Sequence, residues 1–457
     1  MLKIIGLQNG MVMQRDTTNH CDIWFSIIDA EGLDVSVDIG TLTETDTVEG
    51  KRKFHLADIC TGGPYKLTLT VGDEEIVFSD LYVGDVWVMA GQSNMEGFGY
   101  YTKSFANYLP YETIRSYRTE GYWKIAEPRM YQQHHSNDEF IKRYLDYNLT
   151  EYWQERGVGP GFSFAQAMQA RTGVPQGLIS CALKGSSLEH WDPCAPREPE
   201  PNLYGIMLRK YEECGGNARG MFWYQGCAEA ATKEAADRFT ERMKLFVSSF
   251  RRDMNRPDMP FVQVQINQFF LADSSFDILW SQIREAQRTL HMYVDNMDTV
   301  SVTNAILTDS CHLTSESQEI LGRNAAESMY RLCFDPYSMT STLAPQLDTI
   351  YSIPEANDFG STLAVKYKNL NGRLVSEGRA WGYALSTTTD SIDKRNVFRV
   401  DLHNDTAYVR YQFLEEVDIK SMYLSYMFGN ISYANITDES GRPIPAMGPI
   451  PLKEYLK

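Results

Sequence analysis

The sequence lacks the features that mark membrane, nucleic-acid-binding and disulfide-rich proteins. It contains no run of about 18 apolar residues, so we expect no transmembrane helix. Acidic residues outnumber basic ones, 60 to 43, which gives a formal net charge of −17, and no Lys/Arg cluster occurs. Because such a chain repels phosphate groups, the composition argues against nucleic acid and anionic membranes as partners.

The sequence also has little that would bind a metal or form a disulfide framework. Its eight cysteines include no CxxC pair, and in a chain of 457 residues this scatter favours free thiols. The N-terminal residues 1–16 contain no long apolar segment and no small-residue cleavage site, so we expect no secretory signal and a cytoplasmic location. The sequence predicts no metal and no cofactor, and it leaves the oligomeric state open.

What the sequence contains is a change of pattern along its length. Residues 1–80 are short segments rich in Val, Ile, Thr and aromatic residues, separated by glycine turns, which predicts a β-rich domain. Across residues 81–340, apolar runs alternate with segments of helical period, which predicts an α/β domain with an open parallel sheet and helices on both faces. Residues 341–457 return to β segments, so two sandwich-like β-rich domains are predicted to flank the α/β domain.

The predicted elements of the middle domain alternate, with one exception. Residues 100–155 are aromatic and polar, which predicts a long insertion over the edge of the sheet. A capping box of Ser315 and Gln318 predicts a helix that extends to about Leu332. The predicted strands are Val86–Ala90, Gly177–Ala182, Met221–Tyr224, Phe261–Ile266 and Thr299–Asn304, and the other predicted helices are Phe162–Arg171, Lys233–Arg251 and Leu279–His291.

Chemically useful residues follow the predicted strands, where open α/β sheets bind their ligands. Ser93 follows the first run, Gly185 the second and Gln225 the third, and Asp309 and His312 come after the last. Taken singly, each has an ordinary explanation: a helix cap for Ser93, a turn for Gly185, a surface amide for Gln225 and capping for the Asp/His pair. Together and in this order they are the parts of an acyl-transfer site.

Each of these residues has a role in ester hydrolysis. Ser93 would attack the carbonyl carbon once a base removes its proton, and His312 is the candidate base. Asp309, three residues earlier, would hold one ring nitrogen and fix the tautomer. The backbone N–H groups of Ser93 and Gly185 and the side-chain amide of Gln225 would stabilise the oxyanion.

Five short segments match motifs of a known hydrolase family. Gly-Gln-Ser-Asn-Met is the most specific of them, and the others are Gly-Asp-Val-Trp, a Gly-rich block that ends in an acidic residue and Trp, Trp-Tyr-Gln-Gly, and Asp-x-x-His-Leu-Thr. They stand at Gly91–Met95, Gly84–Trp87, Gly185–Trp191, Trp223–Gly226 and Asp309–Thr314.

These motifs resemble those of the SGNH hydrolase superfamily and, more closely, the sialate O-acetylesterase-type family of carbohydrate acetylesterases. Gly10–Asp16, Gly62–Leu69 and the segment from Tyr423 extend the resemblance over nearly the whole chain except residues 100–155. The resemblance implies a flavodoxin-like three-layer catalytic domain and metal-free deacetylation of an O-acetylated mono- or oligosaccharide through a serine acyl-enzyme. Gln92 and Trp191 are the candidate substrate contacts, and sialic acid, xylan and mannan fragments all stay open as the sugar.

The sequence departs from the family pattern after Trp-Tyr-Gln-Gly. The family continues with Glu, which some members are thought to use as the triad acid, whereas this chain has Cys227 and its nearest acid is Glu229. The prediction for the acid therefore moves to Asp309. Lys184 and Ser186 also replace residues that are often Gly and Thr in the family.

Three other functions are compatible with the sequence. A carbohydrate-binding protein on an inactive hydrolase scaffold would suit the β-rich flanks and the aromatic residues. A lipase or thioesterase would use the same serine, although no long apolar lid helix is visible. A cysteine hydrolase would use Cys227 or Cys311, both of which lie beside proposed site residues.

Overall fold

A computed structural model describes residues 2–48, 50–101, 111–131, 133–145, 156–197, 201–270, 273–335, 342–353, 361–391, 396–413, 417–430 and 432–456. The chain divides into two units. Unit 1 consists of Met1–Trp223, Leu245–Phe261 and Gln318–Ala326, and unit 2 consists of Tyr224–Lys244, Val262–Ser317 and Glu327–Lys457.

Unit 1 begins with the strands that the N-terminal composition predicts. Strands β1, β3, β6 and β5 form an antiparallel sheet in that order, and β7 pairs antiparallel with both β4 and β8. The strands are β1 (Lys3–Ile5), β2 (Val12–Gln14), β3 (His20–Ile28), β4 (Val35–Val37), β5 (Thr41–Val48), β6 (Lys51–Cys60), β7 (Gly62–Val71) and β8 (Glu74–Gly91).

Strand β8 joins this region to the main sheet of unit 1. It pairs parallel with β2 and with β13, and β13 pairs parallel with β10. The order in unit 1 is β11-β10-β13-β8-β14. The other strands are β9 (Gly99–Tyr100), β10 (Ile114–Tyr117), β11 (Trp123–Ile125), β12 (Arg156–Val158), β13 (Gln176–Ser180) and β14 (Gly220–Tyr224).

The predicted parallel sheet is confirmed for β10, β13 and β8, but the sheet as a whole is mixed. Its antiparallel strand pairs include two hairpins. β7 and β8 form a hairpin, and β8 continues from this hairpin into the main sheet, while β10 and β11 form a second hairpin at the edge. The predicted domain boundaries near residues 80 and 340 stay predictions: residue 80 lies inside β8, and residues 336–341 lie outside the described part of the chain.

In the described part of residues 100–155, β10 and β11 extend the sheet at its edge, and the predicted insertion stays a prediction. The aromatic and polar composition of the two strands hides their strand pattern. Tyr131 is also part of the interior, since its hydroxyl donates to the carbonyl of Met89 (3.0 Å) near the end of β8. Residues 102–110 and 146–155 lie outside the described residues.

A buried ion-pair cluster holds the N-terminal segment of unit 1 against β8. The carboxylate of Asp85 is fully buried and accepts hydrogen bonds from Arg15 (3.0 and 2.8 Å) and Arg219 (3.1 Å). Removing one member of such a cluster leaves a buried charge without its partner, which costs about 3–5 kcal/mol. This contact gives the Gly-Asp-Val-Trp and Gly10–Asp16 motifs a structural role.

Unit 2 contains the last strands of the chain. The sheets are β15-β16, β17-β18-β22-β21, β19-β24 and β20-β23-β25. The strands are β15 (Phe261–Val264), β16 (Met297–Val300), β17 (Gln346–Ile353), β18 (Ser361–Lys368), β19 (Leu374–Ser376), β20 (Tyr383–Ser386), β21 (Val397–His403), β22 (Thr406–Tyr411), β23 (Tyr423–Tyr426), β24 (Ile436–Asp438) and β25 (Met447–Pro451).

The C-terminal strands of unit 2 share one apolar core. Leu363, Val409 and Leu424, from three different strands, are all fully buried in it. At its border Asp438 pairs with Arg442 at 2.8 Å, and both side chains are buried. The strands predicted in this region are confirmed, while the flanking sandwich-like domains and the three-layer arrangement stay predictions.

The helices confirm the predicted alternation but correct one cap. The cap of α7 is Thr314, whose hydroxyl accepts from the Ser317 N–H (3.2 Å), and not Ser315. No helix in the described ranges is long and apolar enough to cross a bilayer. The helices are α1 (Ser93–Glu96), α2 (Glu139–Tyr144), α3 (Gly161–Thr172), α4 (Leu203–Glu213), α5 (Lys233–Asp253), α6 (Asp277–Thr289) and α7 (Ser315–Phe334).

Candidate active site

In unit 1, Ser93 lies on a sharp turn between β8 and α1. The turn begins at Gly91, whose φ of +135° is open to glycine and strained for other residues. Gln92 is extended, and its carbonyl accepts from the N–H groups of Met95 (2.9 Å) and Glu96 (3.0 Å). This is the strand–turn–helix setting in which α/β hydrolases place a nucleophile. Ser93 itself is 6% exposed.

The predicted oxyanion loop around Gly185 packs on this turn. The Leu183 N–H donates to the Gly91 carbonyl (3.0 Å), and the Ser186 hydroxyl reaches the same carbonyl at 3.3 Å. Gly185 has φ +68°, the left-handed region that favours glycine. The structure therefore brings together the Ser93 turn and the Gly185 loop, both of which are in unit 1.

Glu96 is a site residue that the sequence analysis missed. Its side chain is fully buried three residues after Ser93, and its Oε2 accepts the backbone N–H of Lys184, next to Gly185. Burial raises the pKa of Glu96 to about 8, although the Lys184 N–H opposes the rise. An acidic residue directly after Gly-Gln-Ser-Asn-Met was the available signal.

Gln318 also has an unpredicted role in unit 1. Its Nε2 donates to the carbonyl (3.1 Å) and to Oδ1 (3.2 Å) of Asn94. It therefore holds the residue after Ser93 and takes no part in the predicted capping box.

The predicted sugar contact of Trp191 is wrong. The indole is fully buried, donates to the Ser186 hydroxyl (3.0 Å) and stacks edge-to-face with Trp223 at 5.1 Å. An indole with no exposed face cannot stack on a sugar, so Trp191 supports the Gly185 loop from behind. Gln92 is also buried, at 5% exposure, and its proposed substrate contact stays a prediction.

In unit 2, Asp309 and His312 meet as predicted. The Nδ1 atom of His312 lies 2.8 Å from Oδ2 and 3.0 Å from Oδ1 of Asp309. The backbone N–H groups of His312 (2.9 Å) and Cys311 (3.0 Å) also donate to Oδ1, which fixes the carboxylate in the turn. The imidazole is 15% exposed, so this is a half-buried pair with Nδ1 held by a carboxylate.

Gln225 follows β14 and is fully buried in unit 2. Its Nε2 donates to Oε2 of Glu229, which is itself buried. Its backbone carbonyl accepts from Gln287 (2.9 Å). Glu229, the acid nearest to the position where the family has Glu, therefore orients an amide.

The cysteines of unit 2 bear on the cysteine-hydrolase alternative. Burial raises the pKa of the Cys227 thiol, and the nearby Cys311 and Glu229 raise it further. A nucleophilic cysteine needs a lowered pKa, so this setting disfavours Cys227 as a nucleophile. All eight cysteines are free thiols, as predicted. Among the described residues, Asp309, Cys311 and His312 form the one group whose donor atoms lie within 4.8 Å of each other, as a metal would need.

Residues 83–331 match the family described as carbohydrate esterase, sialic acid-specific acetylesterase. The chain belongs to this family. The matched segment runs from β8 into α7 and includes every predicted catalytic residue.

Two relatives show how far the sequence similarity extends. A probable carbohydrate esterase of Arabidopsis thaliana is 27% identical over 270 residues, which cover 56% of this chain and 94% of that protein. Human sialate O-acetylesterase is 22% identical over 312 residues, which cover 59% of this chain and 57% of the human protein. The match thus spans little more than half of the human enzyme.

A solved structure extends the similarity of fold to the whole chain. A carbohydrate acetylesterase from Xanthomonas citri superposes with a TM-score of 0.75 at 20% identity and covers 98% of this chain and 99% of its own. The mixed sheet with helices is therefore a carbohydrate esterase fold, and the family assignment supports an esterase.

Proposed function

We propose that this protein is a carbohydrate O-acetylesterase that removes acetyl groups from mono- or oligosaccharides through a Ser93 acyl-enzyme of the SGNH type. The observation that carries the proposal is the Asp309–His312 pair, because a carboxylate on Nδ1 leaves proton transfer to Nε2. Membership in the esterase family supports it.

The proposed reaction has two halves. In the first, the Ser93 hydroxyl attacks the acetyl carbonyl and His312 accepts its proton, then returns it to the departing sugar oxygen. In the second, His312 takes a proton from water, the hydroxide attacks the acetyl-serine, and acetate leaves as the proton returns to Ser93. Asp309 stabilises the imidazolium in both halves.

The oxyanion would be held by the N–H groups of Ser93 and Gly185 and by Gln225. The Gln225 amide carries two hydrogens, and Glu229 accepts one of them. Glu229 therefore fixes which way the amide faces, and we assign the Gln225 amide as the third oxyanion donor. Removing one such donor typically lowers kcat by about 10²–10³, and this is the effect expected of Gln225→Ala.

The test is acetate release from acetylated xylo-oligosaccharides, manno-oligosaccharides and sialic acids. Ser93→Ala and His312→Ala should each lower kcat by about 10⁴ or more. Ser163→Ala is the matched control, because Ser163 is equally buried at 6% and, among the residues that the structure describes, its hydroxyl bonds to the backbone carbonyls of Pro160 and Gln318 alone.

The pattern of release decides among the alternatives. Serine-dependent release from one sugar class supports the proposal and names the substrate. No release from any sugar, with 4-nitrophenyl acetate also untouched, favours the sugar-binding scaffold instead. Activity that survives Ser93→Ala but is abolished by thiol alkylation favours a cysteine hydrolase.

A further inference from the structure

The turn that carries His312 also carries a thiol. The Sγ atom of Cys311 lies 3.7 Å from Nδ1 and 3.8 Å from Nε2 of His312. Asp309 supplies a carboxylate to the same ring, at 2.8 and 3.0 Å from Nδ1. A thiol, an imidazole and a carboxylate thus face one another within four residues.

These separations can be compared with those of a tetrahedral zinc site. Bond lengths of about 2.3 Å for Zn–S and about 2.05 Å for Zn–N put the sulfur and nitrogen atoms about 3.6 Å apart. The observed 3.7 Å from Sγ to Nδ1 is close to this distance. Sγ is nearly as close to Nε2 (3.8 Å), so it lies against the ring, and the Cys311 side chain must rotate about its Cα–Cβ bond to share an ion with Nδ1. A Zn–O bond of about 2.1 Å requires about 3.4 Å between the carboxylate oxygen and Nδ1, so Asp309 need only move back by about half an ångström.

We propose that Asp309, Cys311 and His312 bind a thiophilic divalent cation such as Zn²⁺, and that the bound ion inhibits the enzyme. Thiolate and imidazole ligands select Zn²⁺ over Mg²⁺ and Ca²⁺. All three side chains are only partly buried, so an ion can reach them from solvent. Three protein ligands leave a fourth position for water.

Inhibition follows from the change in which ring nitrogen of His312 carries a proton. On binding, Cys311 releases its thiol proton to solvent, and the ion replaces the Nδ1 proton between His312 and Asp309. The neutral imidazole then carries its proton on Nε2. A ring protonated at Nε2 cannot accept the proton of Ser93, so this step of the inference depends on the proposed function, whereas the binding itself does not.

Binding is tested directly with Co²⁺ on the full chain after dialysis against a chelator. Thiolate ligation gives a sulfur-to-cobalt charge-transfer band in the near ultraviolet, which Zn²⁺ should abolish by competition. The wild type and Ser93→Ala should both show the band. Cys311→Ser should lose it, with Cys311→Ala as the second variant, and Cys194→Ser, at an exposed cysteine elsewhere, should keep it.

The second readout is Zn²⁺ inhibition of 4-nitrophenyl acetate hydrolysis, with each variant compared with its own metal-free rate. Cys311→Ser should need about tenfold more Zn²⁺ for half inhibition, since it loses its soft ligand. A wild-type chain without the cobalt band, or a band unchanged in Cys311→Ser, overturns the inference. A Cys311-dependent band in a chain with no Ser93-dependent hydrolysis supports the metal site and overturns only the proposed function.

Discussion

The buried carboxyl of Glu96 makes the stability of this protein depend on pH in an unusual direction. Its pKa is about 8 in the folded chain against an ordinary 4.5, because burial disfavours the charged form. A group whose pKa rises on folding contributes stability below its unfolded pKa and loses that contribution as the pH climbs through the folded value. Glu96 should therefore weaken the fold progressively between about pH 4.5 and pH 8.

The size of the effect follows from the two pKa values. Each factor of ten in proton affinity is worth about 1.4 kcal/mol, so the loss between pH 5 and pH 9 is about 4 kcal/mol. Glu96→Gln removes the ionisation and keeps an oxygen that accepts the Lys184 N–H. Oε1 of Glu96 has no hydrogen-bond partner among the described residues, so the substitution breaks no hydrogen bond at that atom. The amide of Gln also has nearly the same shape as the neutral acid that it replaces.

The assay is urea unfolding of the wild type and Glu96→Gln at a series of pH values from 5 to 9. The variant should gain about 4 kcal/mol in unfolding free energy over the wild type as the pH rises across this range. If the new amide fits poorly, it lowers the unfolding free energy of the variant by the same amount at pH 5 and at pH 9. The difference between these two pH values is then unchanged. Parallel pH profiles for the two proteins would refute a raised pKa at Glu96.

Three further substitutions test other parts of the account. Asp309→Asn should lower kcat by about 10⁴ in the acetate-release assay, because an amide that donates to Nδ1 fixes the wrong tautomer; a loss below tenfold would contradict the dyad. Gly97→Ala should cost about 3 kcal/mol in unfolding free energy, since φ is +109° and the added Cβ would lie 2.7 Å from the backbone nitrogen of Gly159; a wild-type denaturation midpoint would contradict this. Trp191→Phe should lower the unfolding free energy by about 1–3 kcal/mol, because a buried hydrogen bond is lost, and should leave KM for the acetylated sugar unchanged. A raised KM would indicate that Trp191 contacts the sugar after all.

The sequence predicts the strands and helices where the local pattern is strong. Apolar runs such as Val86–Ala90 and the periodic segment Lys233–Arg251 are found as β8 and α5 with shifted ends. Prediction from the sequence fails where the local apolar pattern is weak. Strands β10 and β11 are short and rich in polar and aromatic residues, so only the pairing of β10 with β13 and of β11 with β10 shows that they belong to the sheet.

The candidate site was predictable to the extent that local chemistry defines it. Asp309 and His312 lie three residues apart, and a turn suffices to join them. The position of Glu96 directly after Gly-Gln-Ser-Asn-Met indicates that it lies near the site. Its contact with Lys184 and the contact of Gln318 with Asn94 arise from tertiary packing, which the local sequence does not show. Trp191 was misplaced for the same reason, since spacing along the chain does not show which way an indole faces.

The most direct test of the central claim is to trap the acyl-enzyme. The protein is mixed with 4-nitrophenyl acetate, quenched in acid within the first turnover and digested, and its peptides are mapped by mass spectrometry. We expect one acetyl group on Ser93 of the wild type and none on the same peptide of Ser93→Ala. Hydrolysis by Ser93→Ala at the wild-type rate, or acetyl on Cys227 or Cys311 with none on Ser93, would contradict the serine acyl-enzyme.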